Sequence, residues 1–268
     1  MSPSPSEPEK LAEGTLISHL LELRERLMRV MIVVFVAFCP LAFYQNQLFT
    51  LVAQPLIRKL PEGTSLIATS VIAPFMAPLK LSLVVALFLA MPYVLYQVWA
   101  FIAPGLYRHE KKFALPLVVS SIVLFYAGVA FAYFVVFPLM FAFLTSTTPA
   151  GVKMMTDMTS YLDFVLLLMF AFGVAFEVPV AIVLLVATGL VKIEVLTSQR
   201  GYVILAIFII AAMLTPPDAI SQCFMAIPMY ILYECGIVFA RILLKEKLAE
   251  RAREAAEEAK REASQSTE

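Results

Sequence analysis

Only two histidines occur, His19 and His109, and the chain contains no GxxxxGK[ST], HExxH, GxSxG or Gly-rich dinucleotide turn. Nucleotide hydrolysis, zinc proteolysis and serine hydrolysis therefore lack their residues, and neither a catalytic centre, a metal site nor a cofactor is expected. The three cysteines, Cys39, Cys223 and Cys235, stand in apolar stretches without CxxC spacing, which supports neither a disulfide framework nor a zinc site. Charge is scarce as well, at 15% of residues, and Lys plus Arg balances Asp plus Glu at 20 each. A neutral chain has no net field to draw nucleic acid, so only the position of its charges carries information. The N-terminal Met-Ser-Pro-Ser-Pro-Ser-Glu-Pro has no basic n-region or apolar h-region, and the first apolar span is expected to be retained.

What the chain does have is apolar sequence: 61% of 268 residues are hydrophobic and mean hydropathy is +0.88, far outside the range of soluble domains. A helix needs roughly 20 apolar residues to cross about 30 Å of hydrocarbon. Six stretches qualify as candidates: 27–44, 75–99, 113–144, 161–190, 202–214 and 219–240. Their long uninterrupted runs lack the alternation of a barrel, so helices are the expected form, because each helix satisfies its own backbone in lipid. Sixteen of the 20 Lys and Arg fall on the side of the N-terminus and four, Arg58, Lys59, Lys80 and Lys153, on the other, which places both termini in the cytoplasm. The expected architecture is an all-α integral membrane protein with six transmembrane helices, N-in and C-in. A polar N-terminus over 1–14 is expected to be disordered, the membrane domain to cover 15–241, and a charged cytoplasmic tail to follow over 242–268.

The fifth span covers only about 20 Å before Thr215-Pro-Pro-Asp218 stops it. Glu234 interrupts the sixth, so the last two spans read as short helices forming a hairpin about which the bilayer would thin. Prolines at 40, 92, 116, 138, 179 and 228 lie in every span but the fifth and are expected to bend them into a cup-shaped bundle. No internal repeat of the kind secondary transporters carry is present.

Several polar residues then stand out. Leu16, Leu20, Leu23 and Leu27 share one helical face ahead of the first span and Ser18, Glu22, Glu25 and Arg29 the other, so this segment is expected to lie along the cytoplasmic interface with Glu22 at headgroup level. The plainer alternative is a solvated Glu22 paired with Arg26 at i,i+4. Glu110 sits in a basic turn between spans two and three, beside Trp99 and Phe101, which equally suit interfacial anchors. Glu177 falls mid-span in Phe-Glu-Val-Pro179, where a carboxylate is costly and marks either a functional position or a group bonded to backbone freed by the proline. Asp163 and Asp218 read as helix caps. Thr215 and Gln222 face one another across the hairpin, able to bond a partner helix or each other.

Seven segments in order, His19-Leu-Leu-Glu22-Leu-Arg24, Gln54-Pro-Leu-Ile57, Tyr96 to Tyr107, His109-Glu110, Ala130-Phe-Ala-Tyr-Phe134, Phe176-Glu-Val-Pro179 and Leu214-Thr-Pro-Pro-Asp218, resemble the TatC family over about Leu16 to Arg241. The resemblance implies a multispanning inner-membrane core of the twin-arginine translocase, which receives signal peptides and exports folded proteins with the proton gradient. It implies that Glu22, Glu110, Phe101 and Arg24 meet the signal peptide, that Glu177 and the cupped face take its apolar part, and that Pro55 and Asp218 are structural. TatB and TatA single-span proteins are the implied partners, docking along the hairpin at Thr215 and Gln222, with membrane lipids and further copies of the chain also in contact. Two carboxylates suit two guanidinium groups, since each can accept a bidentate pair of bonds that Lys copies poorly. The competing reading is a proton-coupled small-molecule transporter using Glu177 as a relay. A membrane-embedded hydrolase, the remaining rival, lacks a nucleophile, base and oxyanion set.

Overall fold

A computed structural model describes residues 7–57, 66–102, 111–147, 155–215 and 218–245. These residues are almost wholly helical, and the one non-helical pairing is an isolated bridge between Ile67 and Asp157. Among the described residues, five helical segments are long and apolar enough to cross a membrane, and a sixth apolar helix is shorter. The chain divides into two compact units, residues 1–122 with 148–166, and 123–147 with 167–268.

The first unit begins with α1 (Glu7–Phe43). α1 corrects the expected layout of the Leu16 to Leu27 segment. No breaker separates that segment from the span, so it continues the same 37-residue helix instead of forming a separate interfacial one. At about 1.5 Å per residue such a helix is roughly 55 Å long, well beyond the hydrocarbon. The short helix α2 (Gln45–Ile57) follows, with Pro55 in its last turns. It was not anticipated, since its 13 residues are too few to read as a span.

α3 (Ala73–Ile102) supplies the unit's most buried surface. Ala77 and Leu81 pack with Leu162 and Leu166 of α6 (Met158–Ala175), and Leu48, Phe49 and Val85 close round them. Lys80 pairs with Asp163 at 2.6 Å, joining α3 to α6. Asp163 is thus not the cap it was expected to be. That task falls to Asp157, whose Oδ2 accepts from the Ser160 N–H at 2.9 Å, while its Oδ1 accepts from the Thr69 hydroxyl at 2.8 Å.

The Ser160 N–H, then the Thr69 hydroxyl, hold the Asp157 carboxyl well below the usual carboxylate range. A depressed native pKa means the contribution is present above the ordinary carboxylate range and is lost only as pH falls through the lower native value. Amide exchange at Thr69 and Ser160 is therefore expected to stay protected through pH 4 in the native chain and to speed up in Asp157→Ala at neutral pH. Equal protection in the variant would refute this.

The second unit takes over the third span from Val123. There α4 (Lys111–Phe131) gives way to a π-helical turn over Ala132–Val136 before α5 (Phe137–Ser146). Pro138 cannot donate to the preceding turn, and a wider turn upstream accommodates it. Pro179 acts likewise: α6 ends at Ala175, Phe176 and Glu177 form a turn, and α7 (Val178–Ala187) restarts. Pro40, Pro92, Pro116 and Pro228 lie inside helices that stay continuous.

After α8 (Ile193–Ser198), the fifth span is α9 (Arg200–Leu214), 15 residues or roughly 22 Å. α10 (Ala219–Leu243) is not interrupted at Glu234 as anticipated but runs 25 residues, because Glu234 pairs with Arg200 at 2.7 Å and accepts the Tyr230 hydroxyl at 2.8 Å. What is short is its apolar stretch ahead of Glu234. Ile182 and Val186 of α7, Ile193 of α8 and Tyr233, Ile237 and Ala240 of α10 form this unit's core. The charged tail expected over 242–268 lies outside the described residues beyond Lys245.

Candidate functional site

The candidate site is built where α1 and α3 run side by side at the basic end of the first unit. Residues three or four apart share one face of a helix, so His19, Glu22 and Arg26 line one face of α1, and Tyr93, Gln97 and Phe101 one face of α3. The two rows meet in antiparallel order. His19 stacks on Phe101 with ring centroids 4.3 Å apart and planes 19° from parallel. One turn along, Arg26 donates from Nε and Nη2 to Glu22 Oε1 at 2.9 and 2.6 Å. Its Nη1 donates across to Gln97 Oε1 at 2.9 Å, and Gln97 Nε2 donates to the Tyr93 hydroxyl at 2.8 Å. Gln97 is 6% exposed, whereas the Glu22 side chain keeps 44% of its surface open. The carboxylate is thus anchored from the core side and open to solvent on the other.

Chemically this is a carboxylate with an aromatic face one turn away, suited to a cation with planar, apolar faces. Arg24 stands apart from it. Two residues along a helix turn the side chain by about 200°, and Arg24 instead lines an open concavity with Leu21, Glu25, Met28 and Arg29. Glu110 lies outside the described residues. Trp99, anticipated as an interfacial anchor, is buried and donates from Nε1 to Ser121 Oγ at 2.8 Å. The Glu22–Arg26 pair is the i,i+4 pair read from sequence as the plainer alternative, whereas reading the sequence one residue at a time missed His19, Gln97 and Tyr93 as members of this site. The i,i+3 and i,i+4 spacing of polar and aromatic residues on both helices was the available signal.

In the second unit, Glu177 occupies the turn ahead of Pro179. Its backbone N–H donates to Val174 O at 3.0 Å, its carbonyl accepts from Ala181 N at 2.9 Å, and its Oε1 is buried. Thr215 is also buried and turns back on its own helix, donating to Ala211 O at 2.8 Å. Gln222 donates to Phe208 O across the hairpin at 2.8 Å. Asp218 caps α10 by accepting from the Ser221 N–H at 2.7 Å. Among the described residues, no group of three or more His, Cys, Asp or Glu could hold a metal ion.

A family model, Sec-independent protein translocase protein (TatC), matches residues 18–228. Sec-independent protein translocase protein TatC of Azotobacter chroococcum is 54% identical over 243 residues, covering 90% of this chain and 95% of the relative. The protein of the same name from Escherichia coli K12 is 54% identical over 226 residues, covering 84% and 88%. Among solved structures, "Crystal Structure of Twin Arginine Translocase Receptor- TatC" superposes with a TM-score of 0.75 at 38% identity, covering 84% of this chain and 98% of that one.

Proposed function

This chain belongs to the TatC family of Sec-independent protein translocase proteins, and from that premise we propose that the α1–α3 ladder is the docking point for the paired arginines of an export signal. The protein is a multispanning translocase component of the cytoplasmic membrane, with its apolar helices as the membrane domain. Membership sets aside the small-molecule transporter.

The observation that carries the reading is the half-open Glu22 carboxylate, held from below by Arg26 and flanked by Phe101. It stands at the end of the chain's helices where basic residues concentrate, the cytoplasmic side by charge bias. A signal peptide emerging from the cytoplasm meets that side first. One guanidinium would engage Glu22 and the other Glu110, with the Phe101 face bordering the first and Arg24 meeting the signal peptide from another face of α1. Glu177 would meet the apolar part of the signal, while Pro55 and Asp218 keep structural roles.

TatB and TatA single-span proteins are the proposed partners. Along α9 and α10, Gln222 offers them more than Thr215, whose hydroxyl is buried in its own helix. Contacts with lipid and with further copies of the chain complete the proposed assembly, and the proton gradient is its proposed energy source. The test is export of a folded reporter in cells that depend on this chain. An Arg-Arg signal is expected to support export and a Lys-Lys signal to reduce it by about tenfold or more, in line with the loss of bidentate bonding. Equal export from both would overturn the reading.

A further inference from the structure

Two Glu–Arg pairs at i,i+4 follow one another on α1, and they are not alike. Arg29 reaches Glu25 through one contact of 3.2 Å, and both side chains are mostly exposed at 60% and 71%. That is an ordinary solvated pair of small energetic weight. Arg26 is only 22% exposed, makes two bonds to one oxygen of Glu22, and is pinned through its third nitrogen to the buried Gln97, itself donating to Tyr93. All three of its nitrogens are thus engaged, two by α1 and one by α3, and the guanidinium stands as a fixed positive charge beside the docking carboxylate.

We propose that Arg26, held by Gln97, is a specificity-determining positioning residue that makes the Glu22 site prefer a guanidinium over an ammonium group. The inference rests on the reading of Glu22 as a docking carboxylate. A lysine ammonium is a compact, strongly hydrated point charge whose gain at a carboxylate is mainly Coulombic. A guanidinium is weakly hydrated and gains by the planar fit of its donors to carboxylate geometry. A fixed neighbouring arginine, whose two bonds to Glu22 both fall on Oε1, cancels much of the carboxylate's charge while the Glu22 side chain stays 44% exposed. The incoming lysine then loses most of what offsets its dehydration, and the incoming arginine loses less. Arg26 converts Glu22 from a sensor of charge into a sensor of shape.

The experiment uses the full chain in lipid nanodiscs at one fixed ionic strength, with fluorescent signal peptides that differ only in carrying Arg-Arg or Lys-Lys. In Arg26→Gln, Lys-Lys affinity is expected to rise about tenfold and Arg-Arg affinity about threefold or less, by removal of a like charge at close range. The Arg/Lys preference therefore falls. Arg26→Lys keeps the charge and is expected to keep most of the preference, which a merely structural role would not distinguish. An unchanged preference in Arg26→Gln, or an equal loss for both peptides, overturns the proposal. Should that variant fail to fold, Gln97→Leu frees Arg26 and carries the same test: the preference falls by about threefold or the proposal fails. Glu22→Gln separates the two layers. If it leaves Arg-Arg binding at the native level, the docking reading itself fails; if it removes binding while Arg26→Gln leaves the preference intact, only the role given to Arg26 fails.

Discussion

Glu22→Gln combined with Glu110→Gln is expected to weaken binding of a twin-arginine signal by about a hundredfold or more and to stop export. Each carboxylate offers charge-assisted bonds worth about 1.5–3 kcal/mol, and a neutral amide of the same shape retains one acceptor oxygen but no charge. Two such losses at tenfold per 1.4 kcal/mol give the expected factor. Photocrosslinking of a signal peptide to the double variant measures it directly. The single variants are expected to lose binding to intermediate levels, because one carboxylate still holds one arginine. Undiminished crosslinking in the double variant would end the proposed assignment. Glu22→Gln also removes the acceptor charge that orients Arg26, so its effect should exceed that of Glu25→Gln, whose partner Arg29 is solvated.

The second large effect is one of packing in the second unit. Gly128 on α4 faces the backbone of Phe172 on α6 so closely that a Cβ there would overlap the Phe172 carbonyl oxygen and come within 2.9 Å of Phe176 Cγ. Neighbouring rings tighten the fit, with Phe131 centroids 5.5 Å from Phe172 and 5.6 Å from Phe176. A backbone carbonyl cannot rotate away as a side chain can. Gly128→Ala is therefore expected to destabilise the protein by about 3 kcal/mol, the upper end of the usual overpacking range. Gly201 in α9 supplies the contrast, since nothing lies within 4 Å of its built Cβ. Gly201→Ala should be neutral or stabilising by about 0.5–1 kcal/mol, from helix propensity alone. Thermal melting of both variants in detergent, followed by size exclusion, checks the pair. Equal melting temperatures would contradict the packing account.

Helix boundaries show where one-dimensional reasoning stops. Glu234 looked like the end of an apolar run because a lone carboxylate in lipid is costly. The helix continues because Arg200, 34 residues away in sequence, meets that carboxylate. Asp163 looked like a cap because it lies near a span start, yet its partner is Lys80 on another helix, and Asp157 six residues earlier does the capping. In each case the deciding group is remote in sequence, and no local pattern announces it. The helix α2 went unread for a different reason: 13 residues of mixed character fall short of a span's length.

Other features needed no structure. The balance between hydrocarbon and backbone hydrogen bonding leaves a chain this apolar little but helices, and the imbalance of 16 basic residues against four orients them. The same Glu22 and Gln222 stand out from sequence because charged and polar residues are few in such a chain, and Phe101 through the family motif it lies in. Tertiary structure alone decided which of them meet. His19 finds Phe101, Arg26 finds Gln97, and Arg24 is turned away, because contact between helices depends on rotation about their axes and on register, and neither is written in the composition of a single span.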